Sequence, residues 1–126
     1  YHNIMDYITT LTTGNATDFG DLSVATYSHA GVSNLTRGCL TASVGSGVTI
    51  DYITIATTGD STDFGDLTLS RTLIGGNVNS ETRGIFFGGH ASFVNVMDYI
   101  TIATTGNATD FGDLTDARNG GGGVSG

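Results

Sequence analysis

The chain has 126 residues, enough for one small domain at most. Twelve Asp/Glu stand against four Arg and no Lys; a formal charge of −8 excludes neutralising a run of phosphates on nucleic acid and docking on an anionic membrane. Twenty glycines, no Pro, no Trp and no apolar run of membrane-spanning length leave many short strands joined by tight turns, and the acidity itself reads as a contribution to solubility.

The chain opens in mid-pattern. Asp6-Tyr7-Ile8-Thr9 leads to Thr17-Asp18-Phe19-Gly20-Asp21-Leu22, and the phrase returns from Asp51 to Leu67 and from Asp98 to Leu114. The offsets are 45 (6 to 51) and 47 (51 to 98) residues. Between the copies lies a second phrase, Thr36-Arg37-Gly38 and Thr82-Arg83-Gly84. A third follows each Leu: Ser70-Arg71 and Ala117-Arg118, with Thr26 at the Arg position of the first copy. All four cations therefore sit at repeat-defined positions. The chain divides into a partial unit at 1–26, full units at 27–71 and 72–118, and the start of another at 119–126. That is about 2.7 repeats of about 46 residues.

A period of this size fits propeller blades or helical pairs. Tyr52, Ile53, Thr54, Ile55 and Thr57 are strand formers, and Gly interrupts the chain every few residues, so helices are excluded. The reading is four antiparallel strands per unit. In the third copy they fall at about 72–78 (a), 84–88 (b), 96–103 (c) and 110–114 (d), with a Gly-containing hairpin turn between c and d. The expected fold is all-β.

Phe86-Phe87-Gly88-Gly89, then Met97-Asp98-Tyr99, then Phe111, then Arg118 resembles the kelch repeat: a Gly-Gly doublet closing strand b, a Tyr-Asp pair on c, an aromatic on d and an Arg in the d–a loop. Phe stands for the usual Trp, Asp precedes Tyr, and Ala42-Ser43 replaces the doublet one unit earlier. The resemblance implies a kelch-like β-propeller. The wording Tyr-Ile-Thr-Ile-Ala-Thr-Thr-Gly-Asn-Ala-Thr-Asp-Phe-Gly-Asp-Leu-Thr is also similar to tandem repeats in tail-fibre and other virion proteins of tailed, cyanophage-type viruses, over nearly the whole chain. That likeness implies an extracellular virion appendage. Its neighbours would be other virion proteins or further blades of the same protein, with a host-surface glycan as ligand or a plain spacer role. The competing class is a cellular kelch-type adaptor for a protein partner. Closed propellers use four to eight blades, so the expectation is a segment of a longer chain, or else several copies closing one ring, such as three chains giving about eight blades.

The invariant positions read as scaffold. Phe19, Phe64, Phe111, Tyr7, Tyr52 and Tyr99 are expected to pack between units, and Arg37, Arg71, Arg83 and Arg118 to serve as structural repeat residues. The aspartates of Asp-Phe-Gly-Asp are expected to cap turns or pair with those arginines. No catalytic, cofactor or metal site is expected. Asp-Phe-Gly occurs without any Lys, which a kinase needs. Asp60-Ser-Thr-Asp63-Phe-Gly65-Asp66 lacks the oxygen density of a calcium loop. His2, His29 and His90 fall at unrelated repeat positions, and Cys39, the one cysteine, aligns with Ile85 as a small core residue. The sequons at Asn15, Asn34 and Asn107 read as turn chemistry, since Asp60 replaces Asn in the middle copy.

Variation gathers in the b–c loops (42–49 and 88–95) and the d–a segments around Tyr27, Thr72 and Asn119. In a four-strand meander these loops share one end, where a rigid scaffold presents its binding residues. The candidates for ligand contact are Phe93, His90, Ser92, His29 and Tyr27, with Phe93 foremost as an aromatic in a small, polar loop.

Overall fold

The computed structural model describes residues 1–42, 47–90 and 92–125. Residues 43–46, in the earlier of the two b–c loops, and Ala91, in the later, lie outside the described residues. Ten strands and no helix are present among the described residues. β1 (His2–Tyr7) pairs with β2 (Thr17–Thr26). β3 (Gly31–Ser33), β4 (Arg37–Thr41), β5 (Thr49–Thr54) and β6 (Thr62–Asp66) form a four-stranded antiparallel sheet in sequence order. β7 (Gly76–Asn79), β8 (Arg83–Phe87), β9 (Val96–Thr101) and β10 (Thr109–Asp113) form a second one.

The four-strand reading of each unit therefore matches the two full sheets. Strand a of the third unit is shorter than expected. Residues 72–75 are not strand: Thr72 makes an isolated bridge to His90, and Leu73 adopts a left-handed backbone (φ 48) that turns the chain before β7. A run of β-forming side chains cannot by itself reveal such a turn.

The sheets stack in a row, β2 against β6 and β3 against β7 and β8. Alternation along each strand explains the packing. In β5, Ile50 and Tyr52 face one side and Asp51 the other. Ala30, Val32, Cys39, Ile50, Phe64 and Leu67 meet Ile74, Phe86, Ile100 and Ile102 in one core between the two four-stranded sheets. Burying a side chain such as Phe64 there contributes about 1.5–3 kcal/mol.

The Asp-Phe-Gly-Asp phrase sets how closely the sheets approach. Each copy interrupts the register with a bulge, at Met5/Asp6, Ile50/Asp51 and Asp110/Gly112. Its glycine takes a positive φ, 144° at Gly20 and Gly65 and 138° at Gly112. A Cβ on Gly65 would lie 2.5 Å from the Gly106 carbonyl carbon, and one on Gly20 would meet the Gly59 backbone in the same way. The next unit's c–d turn fills this space.

Candidate functional site

Two sets of residues are candidates for function: the polar seam that joins successive units, and the variable-loop end.

The seam repeats bond for bond. Gly59 N donates to the Phe19 carbonyl (2.7 Å) and Ser61 N to the Asp21 carbonyl (2.8 Å). One unit on, Gly106 N donates to the Phe64 carbonyl (2.8 Å) and Ala108 N to the Asp66 carbonyl (2.7 Å). The turn residue between them returns a bond. Asp60 Oδ1 accepts from Asp21 N (3.0 Å), and Asn107 Oδ1 accepts from Asp66 N (3.1 Å). Asn and Asp interchange here because either supplies an acceptor to the preceding sheet, a between-unit role that turn propensity alone does not explain. Asn34 does behave as turn chemistry, its Oδ1 accepting from Thr36 N and Arg37 N.

The arginines divide into two roles. Of the two roles expected for the Asp-Phe-Gly-Asp aspartates, turn capping and arginine pairing, the structure shows the first: they are exposed, and Asp110 accepts from Gly112 N (3.1 Å) as a local cap. The buried partner is the aspartate before the tyrosine. Arg71 Nη1 meets Asp98 Oδ2 at 2.7 Å with both side chains fully buried. Arg71 Nε donates to the Gly88 carbonyl (2.8 Å) and Nη2 to the Phe86 carbonyl (3.3 Å), so one guanidinium spans the seam. Asp98 also accepts from Thr68 N (3.3 Å) and the Thr68 hydroxyl.

At the preceding seam Thr26 occupies the Arg position. There Asp51 accepts from Ser23 N (2.8 Å), Ser23 Oγ (2.7 Å) and Ser61 Oγ (2.8 Å). Ser61 stands where the next copy has Ala108, so a hydroxyl supplies Asp51 with the donor that Arg71 supplies to Asp98. Arg37 lies over the Tyr52 ring (4.2 Å) and Arg83 over the Tyr99 ring (4.6 Å).

The invariant aromatics pair edge-to-face within each sheet: Tyr7 on Phe19, Tyr52 on Phe64 and Tyr99 on Phe111, with centroids 6.1–6.2 Å apart. Phe64 is 3 % exposed beneath the following sheet, whereas Phe111, on the last sheet, is 46 % exposed. Packing between units thus holds for Phe19 and Phe64 and not for Phe111 in this chain.

At the loop end, the b–c and d–a loops meet as the meander requires. His90 N donates to the Thr72 carbonyl (2.6 Å), Gly89 N to the Arg118 carbonyl (2.9 Å) and Arg118 N to the Val94 carbonyl (3.2 Å). His90 and Phe93 stack edge-to-face at 5.4 Å. Ser92 (φ 91) and Phe93 (φ 56) both hold left-handed backbones, which costs energy for non-glycine residues, and Phe93 stays half-exposed.

Tyr27 and His29 belong to the earlier d–a segment. Tyr27 packs on Tyr1 at 5.2 Å, a neighbour that the repeat pattern does not reveal. His29 lines a largely apolar cleft of about 760 Å³ between the β1–β2 pair and the next sheet, with Tyr7, Phe19, Leu22, Leu40 and Ile53. The equivalent space one unit later is core, filled partly by Val32 and Cys39 of strands β3 and β4. The five candidates therefore fall into two neighbourhoods rather than one.

Cys39 is fully buried in the core. Burial pushes its thiol up to about 11, and the Arg37 guanidinium offsets this only in part, so the side chain is held as the inert thiol. Among the described residues no three His, Cys, Asp or Glu side chains cluster as metal ligands would. No protein-family model matches the chain, and no curated protein is found that matches its sequence.

Proposed function

We propose that the chain is a non-enzymatic recognition module: kelch-like propeller blades whose b–c and d–a loops present an aromatic platform to a surface glycan, in an extracellular virion appendage. The likeness to tailed-phage repeats supports the location, and it makes other virion proteins or further blades the neighbours. One observation carries the glycan reading. Two consecutive left-handed residues hold Phe93 half-exposed and in a T-shaped pair with His90, at the end of the sheet where the loops vary. Backbone strain kept beside an exposed ring marks a site built to present that ring. A ring face so presented suits the C–H face of a sugar, with His90 and Ser92 beside it as hydrogen-bonding groups.

Glycan-array binding of the chain and of Phe93→Ala tests the reading. Retention of a defined glycan class by the wild type, with loss on Phe93→Ala, supports it. Equal binding by both, or binding by neither, overturns it and leaves a spacer.

A further inference from the structure

We infer that Leu73 is a specificity residue of the loop-end site, and that it selects sugars carrying a methyl group, as N-acetyl and deoxy sugars do, over the same sugars without one. The inference rests on the glycan reading above and names the class of glycan.

Among the described residues three non-glycine residues hold a left-handed backbone, and all three lie at one junction. Ser92 (φ 91) and Phe93 (φ 56) belong to the b–c loop of the third unit, and Leu73 (φ 48) to the d–a segment that opens that unit. A two-way backbone bridge ties the loop to the segment. Thr72 N donates to the His90 carbonyl (3.2 Å) and His90 N to the Thr72 carbonyl (2.6 Å), while the Thr72 hydroxyl donates to the same His90 carbonyl (3.3 Å). Leu73 follows Thr72 directly, and the Phe93 ring packs on His90. The segment that carries Leu73 runs between two complete four-stranded sheets, β3 to β6 and β7 to β10.

The backbone there does not call for leucine. Two residues after Arg118, the place that Leu73 holds after Arg71, the chain has Gly120, also left-handed (φ 72). Glycine adopts that conformation without the clash of a Cβ, so leucine in it is strained. Nor does the core account for the side chain. Ile74, the next residue, belongs to the core, whereas Leu73 stands outside it and is 42 % exposed. A large apolar side chain kept on a strained backbone and left in solvent is suited to a contact outside the chain.

The chemistry of that contact follows from the side chains. Phe93 offers a platform to the C–H face of a sugar ring, and His90 and Ser92 offer hydrogen bonds. Leu73 has no hydrogen-bonding group, so it discriminates by covering a methyl group and not by reading a hydroxyl. The formal charge of −8 opposes acidic sugars and leaves neutral ones, of which N-acetylhexosamines and deoxyhexoses carry the methyl.

Binding of the 126-residue chain to surfaces densely coated with single sugars tests this in matched pairs: N-acetylglucosamine against glucose, and fucose against galactose of the same handedness. The wild type should prefer the methyl-bearing member of at least one pair by about threefold or more, the worth of one buried methyl group. The pair that responds separates the acetamido source of the methyl from the deoxy source. Leu73→Gly and Leu73→Asn, both of which suit a left-handed backbone, should abolish the preference and still bind the bare sugar, and Leu73→Met should keep the preference. Phe93→Ala should lose both members of the pair. A wild type that binds glycans with no preference in either pair, or a preference that survives in both Leu73→Gly and Leu73→Asn, overturns the inference and leaves the glycan reading standing. Loss of the bare sugar in both variants overturns it as well, because a residue that only selects is not needed for binding. A wild type that retains no glycan overturns both.

Discussion

Replacing Arg71 by Thr recreates at the second seam the residue that the first seam already uses. Alone it should be severe. It leaves Asp98 buried with the Thr68 N–H and hydroxyl but without its cation, and removes the donors to the Phe86 and Gly88 carbonyls. Breaking a buried ion pair from one side costs about 3–5 kcal/mol. The first seam shows the remedy. Asp51 has no arginine and is served by the Ser61 hydroxyl at 2.8 Å, at the position of Ala108. Adding Ala108→Ser to Arg71→Thr should therefore return about 1.5–2 kcal/mol, the worth of one hydrogen bond to a charged group. In the wild-type background, where Asp98 is already served by Arg71, Ala108→Ser should change stability by less than about 0.5 kcal/mol. Urea unfolding of the four proteins, by linear extrapolation, gives the coupling energy directly. A coupling below about 0.5 kcal/mol, within ordinary additivity error, would refute the claim that serine and arginine do the same work at the two seams.

Other expectations follow from the same geometry. Gly65→Ala and Gly112→Ala impose nearly the same backbone strain, at φ 144° and 138°, but only Gly65 faces a neighbouring turn, and the Gly112 site is open except for Met97. Gly65→Ala should therefore be the more destabilising by at least about 1–3 kcal/mol in chemical unfolding, and equal losses would contradict the close approach. Phe64→Ala should cost about 3–5 kcal/mol and Phe111→Ala well under half of that in the monomer, as their 3 % and 46 % exposures require. Cys39 should react with a thiol reagent only on unfolding. Its folded value is raised from 9.0 to about 11, so its contribution is intact below pH 9 and is lost as pH rises from 9 to 11, where the unfolded chain ionises first. The stability difference between wild type and Cys39→Ala, which cancels the tyrosines, should shrink across that window.

The repeat made most of the architecture legible. Three near-identical phrases located the c–d hairpins, and the b, c and d strands of the third unit fall within two residues of their expected starts. The buried place of Cys39 followed from its alignment with Ile85. The polar seam was harder to read. Arg71 bonds to an aspartate 27 residues ahead, in the next unit, and a repeat pattern shows that a residue recurs without showing which copy it serves. The signal was present in the aspartate before each tyrosine, constant in all three copies yet set on a strand where a charge needs a partner. Asn107 and Asp60 misled for a related reason: both suit turns, and their acceptor role faces a different sheet. The loop candidates separated because Tyr27 with His29, and His90 with Phe93, come from different units. Sharing one end of the sheets does not place them at one site.

The c–d turns of the second and third copies are bonded into the sheet before them. Amide hydrogen exchange in dilute, one-chain solution tests this on matched positions. Gly59, Ser61, Gly106 and Ala108 donate across seams, while Gly14 and Ala16 occupy the same place in the repeat with no preceding sheet among the described residues. Slow exchange is expected for the first four and fast exchange for the last two; six amides exchanging alike would contradict bonding across the seams.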